Sequence, residues 1–219
     1  IHKQRGIAYE MLNIEESALQ KCHKQLKLSQ SIKDKNQQLL SILNSYQNIG
    51  NTYYKLNQKD SLLHYLHLQQ KTIAKIQGKD ISKLQSIIYQ KLGEYYLLSN
   101  EFGRAEHYFN KALKLSKENN DPSNYRIYLG LANALLNKSE ISAAINILEN
   151  AASNVIQPSD NIALYNIYTK LSNIYLEENL DLKKANNYIL KAKESKDQID
   201  KNKINAIDQA TKIILKEKE

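Results

Sequence analysis

The chain has 219 residues, with 31 Lys and Arg against 23 Asp and Glu, for a formal net charge of +8. Apolar residues make up 42% and charged residues 25%, the make-up of a folded domain and not of a disordered chain. Six Gly and two Pro are too few for the turns of a sheet-rich protein, one Cys excludes a disulfide framework, and no apolar run is long enough for a transmembrane helix.

Hydrophobic spacing predicts five helix pairs, at about 1–30, 36–77, 80–117, 122–155 and 159–195, followed by an amphipathic helix over 196–219. The first pair carries Gly6, Tyr9, Ala18 and Cys22, with its turn at Asn13. The second reads Tyr46-x-x-Ile49-Gly50-x-x-Tyr53, then Asn57, Leu62 and Leu66. The third reads Tyr89-x-x-Leu92-Gly93-x-x-Tyr96, then Asn100, Phe102, Ala105, Phe109 and Ala112. The fourth has Tyr128, Leu131, Ala132 and Leu135, then Ser139, Ala144, Leu148 and Ala151. The fifth has Tyr168, Leu171, Ser172 and Tyr175, then Asn179, Ala185, Ile189 and Ala192, with one extra residue in its turn. Pro122 and the run Pro158-Ser159-Asp160 lie between pairs, where first-turn prolines start helices. The terminal helix carries Ile204, Ile207, Ala210, Ile213 and Ile214 and is expected to cover the apolar edge that the last repeat of a stack exposes.

These segments are copies of one unit. Anchors at 6, 50, 93, 132 and 172 stand 44, 43, 39 and 40 residues apart. Within a copy, spacings of three, four and seven put the large side chains on one helical stripe. Eight of the fifteen Tyr fall at two repeat positions: Tyr46, Tyr89, Tyr128 and Tyr168, and Tyr9, Tyr53, Tyr96 and Tyr175. Gly50, Gly93, Ala132 and Ser172 are small where the paired helices must approach closely, and Ala105, Ala144 and Ala185 are their counterparts on the second helix. Asn57, Asn100 and Asn179, with Ser139 in the fourth copy, fall in the turns; Asn tolerates the left-handed conformation that ends a helix.

This pattern resembles the tetratricopeptide repeat (TPR) family over nearly the whole chain. The copy from Tyr89 to Ala112 lies near the family consensus, although the repeats here are longer than the family's usual ~34 residues. The resemblance implies an all-α, right-handed solenoid of about five helix-turn-helix repeats, spanning 1–195, with 196–219 as a C-terminal capping helix. Because the chain opens inside a repeat, a longer protein is expected.

In such a solenoid the first helices line a concave groove, so binding residues are sought at the first-helix positions that packing leaves over. These are Asn48, Asn51, Lys91, Glu94, Asn133, Lys170 and Asn173, with Gln47 and Gln90 beside them. An Asn carboxamide carries a donor and an acceptor and can pair with both groups of a peptide unit, whereas Lys91 and Lys170 suit carboxylates. The family's carboxylate clamp is matched at Asn51, but Gln47 and Gly130 stand where it has Lys and Arg, which argues against chaperone-tail binding. His64 and His67 lack convergent partners beyond Asp60, so no metal is expected. Cys22, at the position of Leu66, Phe109, Leu148 and Ile189, is expected to be a buried hydrophobe. No phosphate loop, nucleophile elbow or dinucleotide fingerprint is present, so neither catalysis nor a cofactor is expected.

Only three of the basic residues are Arg (Arg5, Arg104, Arg126), and the lysines are interleaved with acids, a solvated helix surface and not a nucleic-acid face. The expected function is therefore a protein-interaction module that holds a peptide or protein segment in its groove. The alternatives are a ligand-sensing domain of a larger bacterial regulator and a structural scaffold that associates with itself. No targeting segment names the compartment; a cytoplasmic location is the default, and an exported bacterial domain is the alternative.

Overall fold

The computed structural model describes the backbone of residues 2–78, 81–119, 125–155 and 160–216, with side chains at 14–78, 81–119, 125–153, 160–207 and 209. The described residues form nine α-helices, one π-helical turn and no strand. Two compact units divide the chain, Ile1–Asp121 and Pro122–Glu219. The first holds α1 (His2–Ser29), α2 (Lys35–Lys55), α3 (Lys59–Ile73), α4 (Ile81–Leu98) and α5 (Phe102–Glu118), each helix packed on the next. The second holds α6 (Tyr125–Asn137), α7 (Ile141–Asn150) prolonged by a π-turn at Ala151–Val155, α8 (Asn161–Glu177) and α9 (Leu182–Lys216). Here α6 pairs with α7, α7 packs on α8, and α8 pairs with α9.

The hairpin turns follow one scheme. Asn57, Asn100, Ser139 and Asn179 have φ of 54°, 60°, 61° and 49°, the left-handed region. At each, two backbone bonds close the helix end. The Asn57 and Gln58 N–H groups donate to the Tyr54 and Tyr53 carbonyls at 3.1 and 3.0 Å, and the same pair recurs at Asn100 and Glu101, Ser139 and Glu140, and Asn179 and Leu180. This satisfies carbonyls that the helix end would otherwise orphan. Side-chain caps start three helices: Asp34 accepts from Gln37 N at 2.7 Å, Asp160 from Ala163 N at 3.1 Å, and Asp181 from Lys183 N and Lys184 N at 2.9 and 3.0 Å. The helix start expected at Pro122, and Pro158 and Ser159 of the second start, lie outside the described residues.

The core repeats with the sequence. Ala105, Ala144 and Ala185 are wholly buried where second helices meet first ones, and Ile49, Leu92, Leu131 and Leu171, each one before a small anchor, are at most 1% exposed. The close approach is tightest at Gly93, where an added Cβ would lie 2.8 Å from two ring carbons of Phe109.

Two segments differ from the hairpin scheme. The segment 1–30, expected as a helix pair turning at Asn13, has its described residues His2–Ser29 in the single helix α1. Asn permits the left-handed turn but does not compel it. The turn sacrifices backbone hydrogen bonds, which only the packing of two helices repays; an uninterrupted helix keeps them. Cys22 is accordingly half-buried on α1, not enclosed, and burial raises its thiol pKa. The terminal segment is helical as expected, but it continues α9 without a break instead of folding back. No Gly or Pro interrupts 182–216, and Ile204 and Ile207 are 60% and 64% exposed. The side chains of Ala210, Ile213 and Ile214 lie outside the described residues.

Candidate functional site

Between α2, α3 and α4 of the first unit lies a small cleft of about 10 Å³, room for no more than one water, lined by Gln47, Gly50, Asn51, Tyr54, Leu62, Leu66, Gln69 and Lys91. Asn51 is exposed at its edge, with half-buried Asn48 one turn earlier on α2. The Lys91 ammonium reaches across from α4 to sit 5.8 Å from the Tyr54 ring centre. It also donates to Glu94 Oε2 at 2.8 Å, while Gln90 Nε2 donates to Glu94 Oε1 at 2.8 Å. Both carboxylate oxygens are thus engaged from within α4.

The structure therefore brings three expected residues into one neighbourhood, Asn51 on α2 and Lys91 and Glu94 on α4. It also changes the chemistry expected of Lys91. Its charge is already met by Glu94 and by the ring face, so an incoming carboxylate has to compete with an existing ion pair. Among the described residues the Asn51 carboxamide has no such internal partner. In the second unit, Asn133 is half-buried on α6, and α8 carries half-buried Lys170 and exposed Asn173. The Asn133 carbonyl accepts from Asn137 Nδ2 at 2.8 Å. Gly130, one turn before Asn133, is buried.

A second constellation recurs outside these positions. In α2–α3 the Tyr65 ring lies 5.8 Å from Tyr46 and 5.6 Å from Tyr53. In α4–α5 Tyr108 lies 6.1 Å from Tyr89 and 5.3 Å from Tyr96, nearly parallel to the latter. In α8–α9 Tyr188 lies 6.0 Å from Tyr168 and 5.8 Å from Tyr175. Lysines lie over two of these clusters: Lys111 is 5.5 and 5.7 Å from the Tyr89 and Tyr108 centres, and Lys191 is 5.5 and 5.6 Å from those of Tyr168 and Tyr188. The third cluster also has an acceptor, because Tyr188 and Tyr175 hydroxyls donate to Glu149 Oε1 at 2.7 and 3.3 Å. Burial first, and then the Glu149 hydrogen bond, push the Tyr188 phenol pKa far above its usual 10.0.

Reading the first-helix tyrosines alone misses the second-helix member of each cluster. The available signal is register: Tyr65, Tyr108 and Tyr188 each stand one residue before Leu66, Phe109 and Ile189. The fourth copy has Ile147 and Leu135 at two of the three positions, so it builds no cluster. These rings join the two helices of a hairpin and are structural mortar between them. Among the described residues, no three His, Cys, Asp or Glu side chains converge as metal ligands would, and no helix is long and apolar enough to cross a membrane.

No family model and no curated protein matches the chain. Solved structures do. BtubC (BKLC) from P. vanneervenii superposes with a TM-score of 0.70 at 14% identity, covering 81% of this chain and 72% of its own. Two crystal structures of a kinesin light chain-like protein with nearly identical TPR-like repeats, from Podosopora anserina, give TM-scores of 0.64 (a substituted form) and 0.62. They are 13% and 14% identical, and each covers 90% of this chain, against 94% and 93% of their own. Likeness at such identity shows the fold: the chain has the TPR-like helical repeat fold.

Proposed function

We propose that this chain is a non-catalytic protein-interaction module, which takes an extended peptide segment against the polar positions of its first helices. Asn48, Asn51, Lys91 and Glu94 serve the first unit, and Asn133, Lys170 and Asn173 the second. The observation that carries the reading is the exposed Asn51 carboxamide, which stands next to the Tyr54 ring and the Lys91–Glu94 pair. A peptide unit presents one N–H and one C=O, and a carboxamide answers both with two hydrogen bonds. The ring supplies apolar contact at low conformational cost, and the ion pair favours segments with a polar side chain of either sign over purely apolar ones.

The test uses a random dodecapeptide array to find a ligand, then fluorescence anisotropy on the best hit. Asn51→Ala/Asn133→Ala/Asn173→Ala is expected to weaken binding at least tenfold, and Lys117→Ala, on the exposed side of α5, to leave it unchanged. Equal affinity of the triple variant and the parent protein removes these positions from the interface.

A further inference from the structure

Charges that alternate along the sequence are sorted by folding in the first unit. Helices α1 to α5 run alternately up and down, so one edge gathers the links between hairpins and the opposite edge gathers the hairpin turns. Hydrogen bonds fix the linking edge. Gln38 Nε2 donates to the Gln30 carbonyl at 2.7 Å, Asn36 Nδ2 to the Gln77 carbonyl at 2.9 Å, and Ser82 Oγ to Asn119 Oδ1 at 2.7 Å. Lys27, Lys33 and Lys35 stand at the α1–α2 link, and Lys71, Lys75 and Lys83 at the α3–α4 link. Lys114 and Lys117 stand at the end of α5. All eight are exposed, and none joins an ion pair among the described residues. Against them stand two described acids, Glu118 and Asp34, the latter already capping α2. Lys79 and Asp80 offset each other in charge, and with Asp121 they lie outside the described residues.

The hairpin-turn edge has the opposite balance. Lys55, Lys59 and Arg104 stand there with Glu15, Asp60, Glu101 and Glu106, and the cations are engaged: Lys55 with Glu15 at 3.3 Å, Arg104 with Glu101 at 2.8 Å, and Lys59 with the Leu98 carbonyl. In the second unit the matching ends of α8 and α9 carry as many acids (Asp160, Glu194, Asp197) as lysines (Lys191, Lys193, Lys196). Helix stability accounts for only part of the lysine edge. Lys27, Lys71 and Lys117 complement the negative C-terminal ends of α1, α3 and α5. Lys35 and Lys83 sit in the first turns of α2 and α4, where the dipole disfavours a cation and neither helix has an acid. A role outside the helices explains why they are lysines.

We propose that this lysine edge of the first unit docks the protein on a membrane surface rich in anionic lipid headgroups. Five helix ends, neighbours about 8–10 Å apart and zigzagging between first and second helices, spread the charge over an area and not along a line. A bilayer answers an area of charge, whereas a bound peptide or single strand follows a line. The recognition is by point charge: none of the three Arg stands at this edge, so the planar fork that reads nucleic acid is missing. Lysines within a Debye length of an anionic bilayer each add to the attraction, and salt screens all of them together. The inference rests on the sorting of charge and is independent of the first-helix positions.

The probe is co-sedimentation of the full chain with vesicles of phosphatidylcholine carrying about 30% phosphatidylserine, against vesicles of phosphatidylcholine alone. The anionic vesicles are expected to bind at least tenfold more tightly, and a rise in salt from about 0.05 to about 0.5 M to remove most of that difference. Lys33→Gln/Lys75→Gln/Lys117→Gln is expected to weaken anionic binding at least tenfold. Lys193→Gln/Lys196→Gln/Lys201→Gln removes the same charge from exposed positions of α9 and is expected to leave binding within about twofold. Lys35→Gln/Lys83→Gln is expected to weaken binding while the unfolding temperature holds or rises, because it takes cations off two helix N-termini; loss of structure cannot mimic that. Asn51→Ala/Asn133→Ala/Asn173→Ala leaves vesicle binding unaltered, which separates failure here from failure of the first-helix reading. The inference is overturned if the two kinds of vesicle bind alike, if neither binds, or if the two triple Gln variants lose alike, because net charge and not the edge is then at work. It is likewise overturned if a random-sequence DNA duplex or polyglutamate binds more tightly at equal charge concentration, since the partner is then a nucleic acid or an acidic protein.

Discussion

Two glycines at the same repeat position should respond in opposite directions to the same substitution. In a helix interior Gly→Ala gains about 1 kcal/mol from backbone entropy alone. At Gly50 the new methyl has room: its nearest neighbours are Gln69 Nε2 at 3.4 Å, the end of a flexible side chain, and Leu62 Cδ1 at 3.8 Å. Gly50→Ala is therefore expected to stabilise the protein by up to about 1 kcal/mol. At Gly93 the methyl would meet Phe109 Cδ1, Cε1 and Cγ at 2.8, 2.8 and 2.9 Å. Carbon pairs are comfortable at ~3.5–4.0 Å, so the ring has to retreat by several tenths of an ångström. Phe109 is fully buried, with no solvent to retreat into. Overpacking of this kind costs roughly 1–3 kcal/mol, so after the helix gain Gly93→Ala is left destabilised by about 0–2 kcal/mol. Hydrogen exchange of α2–α3 and α4–α5 amides resolves the two hairpins separately, without assuming that the whole chain unfolds in one step. In the Gly93→Ala background Phe109→Leu should cost less than it does alone, a favourable coupling that locates the strain in this contact. If Gly93→Ala stabilises α4–α5 as much as Gly50→Ala stabilises α2–α3, the ring is not the wedge and the reasoning fails.

Other consequences follow from the turns and the rings. A left-handed backbone costs a non-glycine residue roughly 1–2 kcal/mol, less for Asn, so Ser139→Gly (φ 61°) should raise stability by about 0.5–1 kcal/mol in urea denaturation. By the same argument Asn100→Ala should lower stability by about 1 kcal/mol while Asn100→Gly stays close to the parent protein; equal losses would show that the Asn side chain, and not the backbone angle, matters. Tyr65, Tyr96, Tyr168, Tyr175 and Tyr188 all have pKa values raised, first by burial. The folded state then holds protons that the unfolded state releases. Its stability is whole below the ordinary phenol value of 10.0 and is lost as pH climbs through it towards the folded values. Absorbance at 295 nm should show these phenols ionising only as the helices melt, and Glu149→Gln should let Tyr188 ionise earlier; these five phenols titrating near the ordinary value of 10.0 in the folded protein would contradict this.

Much of this protein is legible in one dimension. The period near 40 residues, the small anchors and the left-handed turn residues are local properties. A helix stripe is a matter of spacing, and a turn is closed by backbone bonds among six neighbouring residues, as Tyr53 to Gln58 shows. The first-helix candidates are legible for the same reason, since subtracting packing positions from a repeat leaves Asn51, Lys91 and Asn173. What those side chains do is another matter. Lys91 meets Tyr54 because α4 lies beside α2, and Tyr188 meets Glu149 because α9 lies near α7. Neither distance is encoded in any local spacing. The two ends of the chain were decided by the tertiary structure for a related reason. Asn13 carries the same turn signal as Asn57, yet only at Asn57 do two helices pack closely enough to repay the broken backbone bonds, and so α1 stays straight. In α9 the helix runs past its partner α8, because nothing in the backbone of 182–216 costs enough to stop it. Local propensity specifies which hairpins can form, whereas the burial gained between helices distant in sequence determines which of them do.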